Sequence, residues 1–287
     1  MKPCFQISSN KSTKELLFRD EEDYIYGINT LALILLLLPD VTVYAFVLMS
    51  NHIHLVLGGP KESCEAYYDA VMHRLPLMLR RKYGLSGIVP YGPKNRTTVT
   101  VKGLEHFIIE VLYTLRNPFK AKICYPGDYP WSSVGMYFSK RGQMTGRKAS
   151  TFTARELRRI LKTNIRIPGN WEINDSGMIV PNFIAWKAVE KAFDNVEAAF
   201  LSRLMEPVEN RHNQLSGLPM ELKFSDQELA ARVRAICQNE LNVKDHRQLS
   251  RKELLRLCRT LSIRFGSSPE QLQRVVGVDK ADLEDWL

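Results

Sequence analysis

Residues 41–59 carry the pattern that most restricts the fold, because two strand-like sequences are joined there by only two residues. The run VTVYAFVLM (41–49) is rich in β-branched and aromatic residues, and HIHLVLGG (52–59) begins with alternating polar and aliphatic residues. Ser50-Asn51 between them predicts a tight turn, because asparagine tolerates the positive φ that two-residue hairpin turns require. This segment is therefore predicted to be an antiparallel β-hairpin.

Strand and helix patterns alternate around this hairpin in the order β-α-β-β-α-β. The predicted elements outside it are a strand at 4–8, a helix at 20–37, a helix at 62–83 and a strand at 97–101. Pro76 is expected to kink or split the second helix, because proline lacks the N–H of the helical ladder. One more helix, LEHFIIEVLYTLRN (104–117), is expected to end at Pro118. The order predicts an α+β fold: a ferredoxin-like split βαβ sheet with an added tyrosine-bearing helix, in which the strand 52–59 is central.

The sequence beyond residue 140 is predicted to form an α-helical C-terminal region. Helices are expected at 153–163, at 183–205 and, three or four in number, over 226–287. Polar segments marked by glycine or proline indicate a linker at 141–150 and a boundary at 210–219. The predicted organisation is a first domain over 1–140, a basic linker with accessory helices over 141–216, and a helical domain over 217–287.

The charge of the chain favours a polyanionic partner. Over 287 residues the formal net charge is +9, and the segment 140–166 holds nine Lys/Arg against the single acid Glu156. The N-terminus lacks the apolar core of a signal peptide, and the apolar run 31–38 is too short to span a bilayer, so no membrane association is expected. The five cysteines form no CxxC pair, which argues against a zinc ribbon and is typical of a cytoplasmic protein.

Two histidines, His52 and His54, lie one residue apart on the predicted central strand. Because strand side chains alternate between faces, both imidazoles share one face with Val56, and the intervening aliphatic residues face the other way. Imidazole is a common ligand of divalent transition metals. The pair therefore predicts either half of a metal site or an ordinary polar strand face.

The helix at 104–117 carries a second group of polar side chains. Its apolar stripe comprises Leu104, Phe107, Ile108, Val111, Leu112 and Leu115. Tyr113 lies almost opposite that stripe, beside Asn117 one turn on, with His106 and Glu110 flanking it. Tyr113 is interpreted as a nucleophile beside a metal ligand or as an exposed surface tyrosine. Because a stripe laid on the sheet would turn Tyr113 away from the histidines, the stripe is expected to pack on another helix or on a partner subunit.

Three blocks of sequence then carry a family resemblance. They are YAFVLMSNHIHLVL (44–57), LYTLRNPFKAKI (112–123) and DYPWSSVGMYF (128–138). In this order they resemble the REP-associated tyrosine transposases, which belong to the His-hydrophobic-His (HUH) single-tyrosine transposases. LFRDEEDY (17–24) resembles the start of that family's first helix, and the resemblance covers residues 4–140.

The resemblance implies a site and a reaction. His52, His54 and Asn117 would hold a divalent metal, Mg²⁺ or Mn²⁺, and Tyr113 would be the nucleophile. Attack on single-stranded or hairpin DNA would form a 5′-phosphotyrosine and release a 3′-OH, so that strands are cleaved and rejoined. The chain contains no P-loop, in agreement with chemistry that needs no nucleotide cofactor. A monomer and a homodimer are both compatible with one catalytic tyrosine per chain.

Activation of the tyrosine is a separate requirement. A phenol with a free pKa of about 10 is a poor nucleophile at neutral pH. The metal, or Glu110 or His106 as a possible acid/base, would assist removal of its proton.

Basic and aromatic residues outside the site are predicted to contact DNA. Those in the first two regions are Lys120, Trp131, Arg147, Lys148, Arg155, Arg158 and Arg159. Lys120 stands where the family more often has arginine, and the basic charge remains. Base stacking is proposed for Trp131, which alternatively anchors the core, and for Tyr125, Tyr129 and Tyr137. Ser132 and Ser133 are expected either to contact phosphate or to cap a helix.

Residues 249–287 resemble a helix-turn-helix in outline. A helix is followed by the break Gly266-Ser267-Ser268 and by a second helix that begins at Pro269. Leu254, Leu257, Leu261 and Leu272 would form its core, and Arg264, Gln273 and Arg274 would face DNA. The alternative is a small helical bundle for protein contact.

Three other functions compete with a DNA transposase. A replication or plasmid-transfer nickase would use the same site, and a domesticated, non-catalytic DNA-binding regulator would not need it. An RNA-binding ferredoxin-like module would require paired aromatic residues on the central strands, where this chain has histidines.

Overall fold

The computed structural model describes residues 2–9, 16–84, 96–138, 145–179, 183–217, 224–279 and 282–283. The chain is a mixed α+β protein that divides into two compact units, Met1–Val208 and Glu209–Leu287. The predicted division at residues 140 and 216 stays a prediction. Within the described ranges, no helix combines the length and the apolar character that crossing a membrane requires.

A four-stranded antiparallel sheet organises the first unit. Its strands are β1 (Cys4–Ser9), β2 (Thr42–Met49), β3 (His52–Gly58) and β4 (Arg96–Val101), arranged in the order β2-β3-β1-β4. The predicted hairpin is confirmed, because Met49 pairs with His52 across the turn formed by Ser50 and Asn51. β3 therefore lies between β2 and β1, in the interior of the sheet.

Two helices cover the aliphatic face of β3. Helix α1 (Glu21–Leu35) is capped by the Asp20 carboxylate and packs on α2 (Lys61–Tyr83). Gly27 of α1 lies against Leu48 of β2, and Leu48 pairs with Ile53. Ile53 therefore faces α1, as the alternation of the strand predicts. The expected split of the second helix does not occur, since α2 continues through a buried Pro76.

Helix α3 (Gly103–Leu115) lies against β2 and β3 on the opposite face. The Phe107 ring meets the Tyr44 ring of β2 edge to face, with centroids 5.1 Å apart. α3 also contacts α6 (Trp186–Ala192) and α7 (Glu197–Met205). α3 thus contacts other helices, as expected, but Phe107 of its apolar stripe also packs on the sheet, which was not expected.

The segment after α3 closes the open edge of the sheet. α4 (Asn117–Lys120) is one helical turn with Pro118 in its first positions, so Pro118 begins an element instead of only ending one. Further along, the Leu48 amide donates to the Trp131 carbonyl at 2.9 Å and the Phe46 amide to Ser133 Oγ at 3.0 Å. These bonds satisfy edge groups of β2 that would otherwise be open to another strand.

The rest of the first unit is built from short elements. Among those described are β5 (Arg147–Lys148), which pairs with β6 (Glu172–Ile173), the helices α5 (Ala154–Leu161), α6 and α7, and short 3-10 turns. The helix predicted over 183–205 is thus two helices, because Asp194 and Asn195 between them adopt positive φ. Part of the predicted linker at 141–150 forms β5, and its residues 141–144 lie outside the described ranges.

The second unit is helical, as predicted. It contains α8 (Glu209–Ser216), α9 (Asp226–Asn239), α10 (Arg251–Phe265) and α11 (Pro269–Val276). The predicted break is confirmed, since Gly266 ends α10 in the left-handed conformation and Ser268 caps α11. Leu257, Leu261 and Leu272 are buried in its core and Leu254 packs against it. The predicted boundary at 210–219 is mostly helix α8, and residues 218–219 lie outside the described ranges.

Gly59, which follows the histidine strand β3, provides a test of the packing at the end of that strand. Its φ is +139°, and a Cβ at this position would stand 2.6 Å from the Asp40 carbonyl oxygen. We expect Gly59→Ala to lower the free energy of unfolding by about 3 kcal/mol, measured by urea denaturation. Gly84→Ala is the control, because that glycine also has positive φ but has open space around it, and about 1 kcal/mol is expected there. Equal losses for the two variants would show that the contact with Asp40 is unimportant.

Candidate active site

His52 and His54 lie side by side on one face of β3. Their ring centroids are 5.1 Å apart, and the rings meet nearly perpendicular to each other. Both side chains are buried, at 7 % and 2 % exposure. They share their face with Val47 and Met49, their partners on β2. The sequence prediction that both imidazoles project from the same face is therefore confirmed.

Each imidazole is held through its Nδ1 atom by the amide of a neighbouring residue. Asn51 Oδ1 lies 2.7 Å from His52 Nδ1, and Gln6 Nε2 lies 2.9 Å from His54 Nδ1. Gln6 belongs to β1, the other neighbour of β3. These contacts fix the orientation of both rings, as amides and carboxylates commonly do for metal-binding histidines.

Tyr113 contacts the histidine pair from α3. Its ring centroid lies 5.7 Å from that of His54, with the planes at 81°. The tyrosine is half-buried, whereas the histidines beneath it are almost wholly covered. α3 therefore brings the predicted nucleophile into contact with one predicted ligand and leaves part of it exposed to solvent.

Asn117 follows Tyr113 by one turn and is buried. Its Nδ2 donates to the Tyr113 carbonyl at 2.9 Å and to the Thr114 carbonyl at 3.3 Å. These bonds orient the amide, so that the carbonyl oxygen, which is the end able to bind a cation, points away from them. The helical turn that begins with Asn117 lies against β2, the strand beside the histidines.

The chemistry of this donor set fits a divalent cation. In the described parts of the chain, no three His, Cys, Asp or Glu side chains gather into a metal-binding group. Besides the two imidazoles, the predicted ligand set contains the neutral oxygen of the Asn117 amide. Imidazole and amide oxygen are both accepted by Mn²⁺ and, less readily for imidazole, by Mg²⁺.

His106 and Glu110, the possible acid/base groups, are paired with each other. His106 Nε2 lies 3.0 Å from Glu110 Oε1, and the Lys102 backbone amide donates to His106 Nδ1 at 3.1 Å. Both nitrogens of this buried imidazole are thus engaged at the start of α3. Phe107, the neighbour of His106, contacts Tyr44, whereas Tyr113 further along α3 contacts His54. The His106–Glu110 pair therefore lies toward the Gly58 end of β3. Its part in proton transfer stays a prediction.

The predicted DNA contacts of the first unit occupy varied environments. Arg155, Arg158 and Arg159 are exposed on α5, a helix capped by Thr153 and Glu156. Lys148 on β5 is exposed, Lys120 is half-buried at the end of α4, and the Arg147 guanidinium stacks 4.2 Å over the Phe152 ring. The three arginines of α5 therefore form an exposed basic group on one short helix.

The predicted aromatic contacts are mostly used inside the protein. Trp131 stacks on Tyr24 at 4.8 Å and packs on the cluster of Val47, Met49 and Tyr129. Tyr129 and Tyr137 are buried and donate their hydroxyls to the Leu48 and Tyr44 carbonyls, so the expectation that they stack on bases is wrong. Tyr125 is 62 % exposed and lies beside Phe119. Ser132 caps the following turn, as the structural alternative predicts, whereas Ser133 caps no helix and accepts a hydrogen bond from the Phe46 amide of β2.

Two of the residues that were predicted to contact DNA from the second unit form ion pairs within the protein. Arg264 donates to Glu240 at 2.9 Å, and Arg274 donates to Asp226 at 2.7 Å. Gln273 is exposed on α11. Because each arginine already has a carboxylate partner, DNA phosphates would have to compete for it.

Gln6 and Asn51 are site residues that the sequence interpretation did not find. Asn51 was assigned only to the hairpin turn. Gln6 is the polar residue in the middle of the strand CFQIS, and its burial to 1 % exposure is unusual for glutamine. That polar residue within an apolar strand was the available signal.

The His106–Glu110 contact can be measured by a double-mutant cycle. We expect His106→Leu and Glu110→Leu to be coupled by about 1–3 kcal/mol in unfolding free energy, because both side chains are buried and hydrogen-bonded. The pair Tyr67→Leu and Glu110→Leu is the control, since Tyr67 is also buried but donates its hydroxyl to the Leu31 carbonyl between α2 and α1. Additive losses for His106 and Glu110 would contradict the contact.

Comparisons with known proteins gave one distant similarity. No family model matches the chain, and no curated protein matches it. A solved structure described as that of a REP-associated tyrosine transposase bound to a REP hairpin is similar over 46 % of this chain and 76 % of its own, at 15 % sequence identity and a TM-score of 0.37.

Proposed function

We propose that the protein is a DNA transposase that cleaves and rejoins single-stranded DNA at hairpin-type sites in a metal-dependent reaction. The observation that carries this proposal is the contact of the partly exposed Tyr113 ring with His54, beside His52. These residues belong to two of the sequence blocks that resemble the HUH single-tyrosine transposases. The third block, at 128–138, lies along β2 next to the histidine strand.

A ferredoxin-like split βαβ arrangement is part of this proposal. The strand order β2-β3-β1-β4, with all neighbours antiparallel and helices after β1 and β3, supports it. The helix added after β4 is α3, which bears the tyrosine.

In the proposed reaction Tyr113 provides the attacking oxygen. Its phenolic oxygen forms a bond to phosphorus, the bond from phosphorus to the 3′-oxygen breaks, and that oxygen leaves as a 3′-OH after taking up a proton. The 5′ end stays on Tyr113 as a phosphotyrosine, and a 3′-OH reverses the step to join strands. His52, His54 and Asn117 would hold the divalent cation, Mg²⁺ or Mn²⁺, which when bound offsets negative charge on the phosphate.

The placement of Tyr113 suits an attack on a polymer. The tyrosine is half-exposed on a helix that is otherwise mostly buried, so its position is fixed by packing while a DNA strand can approach it. The covalent bond to tyrosine conserves the phosphodiester linkage, so rejoining requires no nucleotide cofactor.

A domesticated, non-catalytic DNA-binding regulator is the main alternative. It would bind DNA through the same basic surface but would need neither Tyr113 nor the buried histidines. A replication or transfer nickase would share the site and differ in its target. The experiments below separate a regulator from both enzymes.

The covalent intermediate is the sharpest test. On labelled single-stranded DNA hairpins with Mg²⁺ or Mn²⁺, we expect a protein–DNA adduct that resists denaturation. Tyr113→Phe should abolish the adduct because it lacks the attacking oxygen, and His54→Ala should lower its yield at least about tenfold. Tyr125→Phe is the matched control, since it removes a more exposed phenolic oxygen and keeps the aromatic ring that was predicted to stack on bases.

Two results would contradict the proposal. One is an adduct that persists in Tyr113→Phe. The other is the absence of an adduct across a broad hairpin pool that the protein nevertheless binds, which would favour the regulator.

The basic surface of α5 predicts a salt effect. We expect the double variant Arg155→Gln/Arg158→Gln to weaken binding of single-stranded DNA and to reduce the slope of log affinity against log salt by about one to two. The double variant Arg264→Gln/Arg274→Gln also removes two charges, but from ion-paired arginines, and we expect a smaller change. A larger loss for the second variant would move the main DNA contact to the second unit.

A further inference from the structure

The two amides that hold the histidines present opposite chemistry to them. Asn51 faces His52 Nδ1 with its oxygen, which can only accept a hydrogen bond. Gln6 faces His54 Nδ1 with its nitrogen, which can only donate one. A neutral His52 therefore carries its proton on Nδ1, and a neutral His54 carries it on Nε2.

This difference bears on the proposed metal site. A histidine held at Nδ1 binds a cation through Nε2, which must then present a lone pair and not a proton. The His52 tautomer already meets this condition, whereas the His54 tautomer does not. His54 must move its proton from Nε2 to Nδ1 before it can act as a ligand, and Nδ1 then needs an acceptor.

Gln6 can supply that acceptor without moving its backbone. A half-turn about the last side-chain bond exchanges the amide nitrogen for the oxygen at nearly the same position. The residue is 1 % exposed and lies on β1, which is paired with β3 on one side and β4 on the other. Because burial makes an unsatisfied amide costly, the orientation of Gln6 and the tautomer of His54 are coupled.

We propose that Gln6 is a positioning residue whose amide sets the tautomer of His54, with its nitrogen toward Nδ1 in the metal-free protein and its oxygen toward Nδ1 in the metal-bound protein. His52, held by the Asn51 oxygen, keeps one tautomer in both states. This inference rests on the proposed metal site, but its first measurement concerns the metal-free chain.

Nitrogen-15 NMR of the histidine rings tests the wild-type protein directly, because protonated and unprotonated ring nitrogens resonate far apart. Without metal we expect a proton on Nδ1 of His52 and on Nε2 of His54. With saturating Mg²⁺ we expect the proton on Nδ1 in both rings. A His54 already protonated on Nδ1 in the metal-free protein would overturn the proposal.

The variant Gln6→Leu tests the coupling. Without the amide, His54 should lose its single tautomer in the metal-free protein, and Mn²⁺ affinity measured by calorimetry should fall about tenfold or more. Gln271→Leu is the matched control, because it removes a glutamine of equal burial from the second unit, and both readouts should stay unchanged. Thermal unfolding of each variant separates loss of fold from loss of the contact.

The outcomes distinguish this inference from the proposed function. Two outcomes would overturn the role of Gln6 and leave the metal site intact. One is an unchanged His54 tautomer in Gln6→Leu. The other is that Gln6→Leu leaves the Mn²⁺ affinity unchanged although His54→Ala lowers it. If the wild-type chain binds neither Mg²⁺ nor Mn²⁺, the proposed metal site is wrong, and so is the rotation of the Gln6 amide on metal binding. The metal-free spectra would still decide whether Gln6 sets the tautomer of His54.

Discussion

The register of the β2–β3 hairpin is the constraint on which the candidate site depends. Side chains alternate along a strand, so a slip of one residue would turn both histidines to the face covered by α1 and would turn Ile53 toward α3. The two-residue turn at Ser50 and Asn51 and the pairing of Leu48 with Ile53 exclude that slip, because they keep aliphatic groups under α1. The imidazole pair is thus a consequence of hairpin packing.

Burial of both faces of β3 then decides how the histidines can behave. A strand in the middle of a sheet with helices on each face leaves little water for a polar side chain, so each ring requires hydrogen-bonding neighbours within the protein. Asn51 comes from the turn itself, and Gln6 comes from the strand on the other side. Burial makes the polar imidazole rings costly in free energy, but the neighbours that it requires also fix the orientation of the rings. A metal site requires ligands with a fixed orientation.

Much of this architecture could be predicted locally, and the parts that could not depend on contacts between distant residues. The hairpin, the four strands and the break at Gly266 follow from short patterns of alternation and turn residues. The position of α3 does not, because one apolar stripe does not reveal that a helix is covered on two sides. The contact between Gln6 and His54 exists because β1 and β3 are adjacent in the sheet, and no local sequence pattern reveals that adjacency. The buried tyrosines at 129 and 137 likewise depend on the segment that closes the β2 edge.

In the proposed reaction, the placement of α3 combines two demands that usually conflict. A nucleophile that attacks a DNA strand has to be reached by a large polyanion, whereas ligands of a catalytic cation work best when held rigidly away from water. Phe107 against Tyr44 and His106 at the helix start anchor one end of α3 in the core. The other end carries Tyr113 at the surface and in contact with His54. A mostly buried helix thereby holds a half-exposed tyrosine against a buried imidazole, so that neither demand has to be relaxed for the other.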